Sequence, residues 1–352
     1  MSLLQNKLYL EDLYYVANLD LPWNKLKEKT FIISGAGGML GSFLIDVIMF
    51  LNQNYSLKCK VIALGRNYEK SYIRFKDYWS DCQFSFIQQD INKDLSNLDI
   101  RTADYIFHAA SNTHPIAYAT DPIGTILTNI LGTYNLLDFA KNHHTLRFAF
   151  ASSNEIYGEN NGDVEFFHED YCGYINSNTL RAGYPESKRT GEALCQAFIH
   201  KYNLNIVLPR FTRSYGPTML QTDTKAISQF IQKGIRKEDI VLKSTGEQFY
   251  SYTYVADAIA GFLTVFLKGN SGEAYNIADS KTDIRLKDLA GLIAQLSNTR
   301  VTFDIPDDIE KLGYSTATKA RLNGEKAKKL GWKSKYSLAE GLSRTLKMLQ
   351  ID

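Results

Sequence analysis

Residues 30–44, TFIISGAGGMLGSFL, pass from a short apolar stretch through a cluster of glycines into a helical pattern. Gly35, Gly38 and Gly41 fall at three-residue intervals at the turn. Glycine there allows a tight turn, close approach of the backbone to a pyrophosphate and close packing of the helix. The helix start adds free N–H groups and a favourable dipole. Strand, glycine turn and helix together predict a parallel α/β sheet with a dinucleotide at the end of its first strand. The spacing differs from the G-x-G-x-x-G pattern.

The alternation continues. Strands are expected at TFIISG (30–35), KVIALG (60–65), FSFIQQD (84–90), DYIFHAA (104–110), RFAFASS (147–153) and NIVLPRF (205–211), with helix-length segments between them. That rhythm is the mark of parallel strands joined by crossovers. It predicts a Rossmann-type doubly wound sheet with a smaller, interleaved C-terminal substrate lobe. The dinucleotide-binding domain is expected over 29–211, with 250–280 returning to it. The substrate lobe takes 212–249 and 281–352. Residues 1–28 read as a helical extension packed on the outside through Leu10, Leu13, Tyr14 and Val16, with no chemistry assigned.

Composition excludes several classes. Lys+Arg minus Asp+Glu is 40 − 38 = +2, without a basic run of the kind that binds nucleic acid or an anionic membrane. The four cysteines form no close pair and no metal-like cluster, which suits a reducing compartment. The start, MSLLQNKLYLEDL, has no signal-peptide pattern. No stretch approaches the roughly 20 apolar residues of a membrane span. A cytoplasmic protein is expected. His143 and His144 are adjacent, do not share a helix face and suggest no metal; His108 is read as packing and His114 as pocket wall.

Which dinucleotide binds is less direct. The second strand ends VIALGRN, with no carboxylate for the adenosine ribose hydroxyls. Arg66 is placed to face a 2′-phosphate, to stack on adenine, or to sit in solvent as a loop arginine. Asp90, ending the third strand, is a candidate acceptor for the adenine amino group, or a plain cap. NAD is the expected cofactor, and Arg66 leaves NADP open.

In RAGYPESKRTGE (181–192), Tyr184 and Lys188 stand four apart, on one face of a helix whose first turn accommodates Pro185. Alone, that is a helix start with a solvated lysine. FASSNEIYG (150–158) ends the preceding strand, and with the glycine loop three motifs stand in order. The chain resembles the extended short-chain dehydrogenase/reductase family, and within it the UDP-glucuronic acid decarboxylases and their nucleotide-sugar relatives. The resemblance runs from about residue 29 to 280, carried also by HAASNTHPIAYATDPIGTILTNILGTYNLL (108–137), PRFTRSYGPTM (209–219) and YTYVADAIAGF (252–262).

The resemblance implies oxidation of a sugar C4 hydroxyl by a bound nicotinamide dinucleotide. Ser153 would orient that hydroxyl and Tyr184 take its proton. Lys188 would favour the phenolate and hold the nicotinamide ribose. The dinucleotide set widens to Met39, Leu40, Ile91, Ala109, Ala110 and Ser111. Glu155 matches a reacting carboxylate. Asn154, an amide, cannot protonate a leaving hydroxyl, so dehydration is disfavoured and decarboxylation of a UDP-glucuronate is expected. Arg181 joins the substrate-binding set. The resemblance also implies a homodimer through the helices near 123–141 and 183–201.

Two positions depart from the family pattern. Tyr250 stands where the decarboxylases carry a diphosphate-pairing arginine, and Arg213 stands where they carry asparagine, with Thr218 in place of a second arginine. Either the phosphate clamp has moved to Arg213 or the substrate differs. A nucleotide-sugar 4-epimerase and an NADPH-dependent reductase of a keto sugar therefore stay open, with a non-catalytic dinucleotide sensor further off.

Overall fold

The computed structural model describes residues 2–113, 115–304 and 318–350. Its strands, in chain order, begin with β1 (Thr30–Ser34), β2 (Lys60–Gly65), β3 (Phe84–Gln88), β4 (Tyr105–His108) and β5 (Arg147–Phe150). They continue with β6 (Ser152–Ser153), β7 (Ile206–Phe211), β8 (Arg213–Tyr215), β9 (Ile240–Leu242), β10 (Phe249–Tyr254), β11 (Ala274–Ile277), β12 (Asp283–Arg285), β13 (Val301–Phe303) and β14 (Lys319–Ala320). The main helices are α1 (Lys7–Ala17), α2 (Met39–Tyr55), α3 (Tyr68–Arg74), α4 (Pro115–Thr120), α5 (Pro122–Asn142), α6 (Gly183–Tyr202), α7 (Ala226–Ile235), α8 (Val255–Lys268) and α9 (Leu286–Ser297). Two more, α10 (Glu325–Lys329) and α11 (Leu338–Leu349), follow.

One parallel sheet runs β3-β2-β1-β4-β5-β7-β11, with β6 extending the β7 edge. It forms because its strands are apolar on both faces, as strands covered by crossover helices must be. Alternate residues feed opposite cores. Ile32, Ile62, Ile106 and Phe148 pack with Leu136 and Leu137 of α5 and Phe198 of α6. Phe31, Ile33 and Phe107 pack with Phe43 and Val47 of α2 and Phe262 and Phe266 of α8. Strand order reverses between β1 and β4, so a crevice opens at their C-terminal ends, where ligands bind in such folds. This is the Rossmann-type sheet that the alternating pattern predicts.

A smaller sheet, β12-β10-β14 with β8 also on β10, faces that crevice. β8 and β14 run parallel to β10 and β12 antiparallel to it. The short pair β9–β13 lies apart.

α1 is the helix expected in the extension, but its buried face is different. Tyr9, Asp12, Leu13, Val16 and Ala17 point inward, whereas Leu10 and Tyr14 are 38% and 59% exposed. The helical period from Leu13 and Val16 selects residues 9, 12 and 17, and the buried Asp12 is tolerated because it is paired. Its carboxylate accepts from the Tyr254 hydroxyl at 2.5 Å and meets Arg344 at 2.8 Å.

Candidate functional site

The loop after β1 is built as the glycines require. Gly35 has φ +69°, and a Cβ there would lie 2.6 Å from the Ala110 nitrogen and 2.7 Å from the Ala109 carbonyl carbon. A Cβ on Gly41 would lie 2.6 Å from the Gly35 oxygen. Gly38 caps α2 without a side chain, so the first-turn amides keep no side-chain acceptor. Beneath the loop, Ser34 Oγ and His108 Nδ1 are 2.9 Å apart, and His108 Nε2 is 3.0 Å from Thr133 Oγ1. His108 is fully buried, and burial holds its pKa well below the ordinary histidine value. It is a packed, hydrogen-bonded strut; His114 lies outside the described residues.

A cleft of about 800 Å³ opens over this loop, and the catalytic, cofactor and substrate residues read from the sequence all line it, His114 lying outside the described residues. Gly35, Gly38, Met39, Leu40, Gly41, Arg66, Asp90, Ile91, Ala109, Ala110 and Ser111 form one end. Arg66 is exposed at the end of β2. Asp90 Oδ1 accepts the Asn92 amide at 3.0 Å, so this carboxylate also shapes its own turn.

The other end holds the reacting groups. β6 delivers Ser153, which caps the turn Asn154–Tyr157, its Oγ accepting from the Glu155 amide at 3.2 Å. The first turn of α6 delivers the buried Tyr184, which lines the cleft with Ser153. Asn129 of α5 donates to Ser187 Oγ and Ser187 donates to the Tyr184 carbonyl, both at 2.9 Å, which fixes that turn. Lys188 lies one turn on, with Nζ donating to the Ala151 carbonyl at 2.8 Å and 4.7 Å from the Phe150 ring centroid.

The electrostatics differ from the expectation that Lys188 favours the Tyr184 phenolate. Burial pushes the Lys188 ammonium down to about 7, opposed by Glu192 and Cys195. Burial, and then the Glu155 charge, raise Tyr184 above its ordinary value, opposed by Ser153 and Arg181. Desolvation disfavours both charged forms. The ammonium, 6.0 Å from the Tyr184 ring centroid, is held by a carbonyl instead.

Glu155 and Arg181 meet at 2.7 Å. The Arg181 guanidinium lies 4.9 Å from the Tyr118 ring centroid, and Tyr118 stacks on Tyr184 at 4.9 Å. Arg181 Nη1 is buried without a hydrogen-bond partner. Tyr118 is a site residue that sequence reasoning missed, although it stands within the quoted segment 108–137. Behind the reacting strand, outside the cleft lining, Glu192 accepts from Ser152 Oγ at 2.5 Å and from Arg210 at 2.7 Å.

Asn154, on the same turn as Glu155, is buried at the cleft wall. The Arg213 guanidinium lies 3.5 Å from the Tyr250 ring centroid. Thr218 Oγ1 donates to the Met39 carbonyl at 3.1 Å, joining the segment after β8 to the start of α2.

Residues 31–278 match the NAD dependent epimerase/dehydratase family. The chain belongs to that family. Its relatives include UDP-glucuronic acid decarboxylase 3 of Arabidopsis thaliana, 29% identical, with 88% of this chain and 86% of the relative aligned. Among solved structures, a dTDP-glucose 4,6-dehydratase from Streptomyces venezuelae with NAD and TYD bound has a TM-score of 0.78 at 22% identity, covering 91% of this chain and 96% of that one. A UDP-glucuronic acid 4-epimerase from Bacillus cereus, in complex with UDP-glucuronic acid and NAD, has a TM-score of 0.76 at 21% identity, covering 91% and 98%. These two structures share the fold with this chain.

The residues present fit the family's dinucleotide. Gly35, Gly38 and Gly41 line the cleft, and the α2 amides beside them lack a side-chain cap. Pyrophosphate suits such a cradle. NAD is the dinucleotide of this family, and Gly35, Gly38, Met39, Leu40 and Gly41 are the residues that would hold it. Among the described residues, no helix is long and apolar enough to cross a membrane.

Proposed function

We propose that the protein oxidises C4 of a nucleotide-linked glucuronate and decarboxylates it. The observation that carries this reading is the composition of the reacting end: Glu155, held by Arg181, beside Tyr184, with the amide of Asn154 next to them. NAD, when bound, supplies a reversible hydride acceptor. Tyr184, once ionised with the help of the positive charge that bound NAD would bring, takes the proton of the C4 hydroxyl, which Ser153 orients, as that hydroxyl becomes a ketone. A C4 ketone is β to the C6 carboxylate, so the C5–C6 bond breaks, carbon dioxide leaves and the bonding pair passes to an enolate. Protonation at C5 and return of hydride and proton to C4 give a pentose. Lys188 lines the same end and is the residue to hold the nicotinamide ribose. Asn154 offers no acidic proton to a leaving hydroxyl, which disfavours the dehydratase route.

The proposed enzyme is a homodimer. Ile123, Leu127, Leu131 and Tyr134 form a stripe along α5 with exposures of 70%, 43%, 38% and 48%. Such a stripe suits burial against a second copy. A reducing, cytoplasmic setting suits Cys59, Cys82, Cys172 and Cys195, all free thiols.

The test is incubation with UDP-glucuronate and a catalytic amount of NAD. Carbon dioxide and a UDP-pentose should form without accumulation of NADH. Absence of carbon dioxide with UDP-, dTDP-, GDP- and CDP-linked glucuronates would overturn the reading. A C4 epimer without carbon dioxide would install the epimerase, and stoichiometric NADPH consumption the reductase that Arg66 at the end of β2 favours.

A further inference from the structure

Arg213 is held in an unusual state. Its guanidinium is 3.5 Å from the Tyr250 ring centroid, close enough for the ring to fix where the cation sits. Nη1 is buried and has no hydrogen-bond partner. Among the described residues no carboxylate lies within ion-pair distance of it, although Arg181, Arg210 and Arg344 each have one. A buried charged donor left unsatisfied is costly, and such a group in a cleft points to a ligand that satisfies it.

Strand register says what part of a ligand that would be. Ser153 pairs with Phe211, two residues before Arg213. Arg213 pairs with Tyr252, and Tyr250 pairs with Ile284 on the next strand. Beyond Tyr250, the Gln248 carbonyl accepts from the Leu286 amide, and both residues line the cleft with Val241 and Leu242. Arg213 therefore lies between the reacting end at Ser153 and a partly apolar wall at Gln248, Leu286 and Val241. A nucleotide sugar laid along that path has its sugar at one end, its base at the other and its diphosphate in the middle.

We propose that Arg213, stacked on Tyr250, is the diphosphate clamp of this enzyme. The proposal rests on the nucleotide-sugar reading above. The guanidinium fork matches two phosphate oxygens, and charge assistance strengthens both bonds. The cation is supplied from β8, and Tyr250 on the neighbouring β10 is its support.

Titration calorimetry against UDP and against NAD tests this on the wild type, Arg213→Ala, Arg213→Gln and the double variant Arg213→Ala/Tyr250→Arg. Gln keeps most of the side-chain volume should Ala fail to fold, and circular dichroism establishes that each variant is folded. UDP affinity should fall by about ten- to a hundredfold in both single variants, with NAD affinity within about twofold of wild type. The double variant should recover part of the loss. UDP-glucose and UDP-glucuronate should weaken by the same factor as UDP. Loss confined to UDP-glucuronate would overturn the clamp and give Arg213 to the sugar carboxylate. Unchanged UDP affinity would also overturn it, while carbon dioxide release by the wild type would still stand for the reaction. A wild type that binds none of UDP, dTDP, GDP or CDP would overturn the nucleotide-sugar reading and the clamp with it.

Discussion

At the β1–α2 end of the cleft the functional groups are main-chain amides, exposed by Gly35, Gly38 and Gly41 within seven consecutive residues. At the opposite end the cleft is lined by the side chains of Glu155, Arg181, Arg213 and Tyr250, drawn from segments almost a hundred residues apart. The two ends are open to change in different degrees. A main-chain site tolerates no side chain where Gly35 passes Ala109 and Ala110, so its sequence is held narrowly. A side-chain site can exchange a cation on one strand for a cation on its neighbour while the sheet stays intact.

Tyr184 offers the sharpest separation of the two. Tyr184→Phe should lower turnover by roughly a hundred- to ten-thousandfold, as expected for loss of a general base. NAD affinity should stay near wild type, because the phenol acts on substrate. Steady-state kinetics beside NAD titration checks this, and retention of more than about a tenth of turnover would remove Tyr184 from the reaction.

Gly35→Ala attacks the other end. The substitution forces a left-handed residue, at a cost of about 1–2 kcal/mol, and sets its Cβ 2.6 Å from backbone. We expect a loss of roughly 2–4 kcal/mol in stability, the range of backbone strain and overpacking combined. NAD should raise the melting temperature of this variant less than that of wild type. An equal rise in thermal melts would show that the loop does not hold the dinucleotide.

Lys188 lies at the reacting end, and its expected effect is confined to a window of pH. Burial lowers it to about 7, from about 10.4 in an unfolded chain. Between those values the unfolded state binds the extra proton, so this residue's contribution to stability rises with pH from about 7 to about 10 and is lost as pH falls back to 7. Lys188→Met should lack that rise. Denaturant midpoints measured across the window would show a sloping difference between the proteins, whereas a flat one would mean that the folded lysine keeps its ordinary charge.

The sheet was legible because strands buried on both faces read as apolar runs, and β1 to β5 and β7 all fall within the segments expected. β8, β12 and β14 were not, since two or three residues show no period, and β10 draws its partners from residues 213 to 320. The reacting groups could be located by motif, but their couplings could not. Glu155 and Arg181 stand 26 residues apart and pair only in the fold. The inward face of α1 was misread for a related reason. Asp12 looks like a surface residue until Tyr254 and Arg344, 242 and 332 residues away, supply its partners.

That distance sets an order of assembly. A chain made from its N-terminus presents Asp12 early, with neither partner yet in existence. α1 can gather its apolar contacts on α2 once residue 55 is made, but its buried carboxylate is satisfied only after residue 344 has joined the chain. The loop that must close is then several hundred residues long. The contacts around the glycine turn close far sooner, within residues 34–110. The strand carrying Tyr250 and Tyr254 receives its rear support last, when Arg344 reaches Asp12.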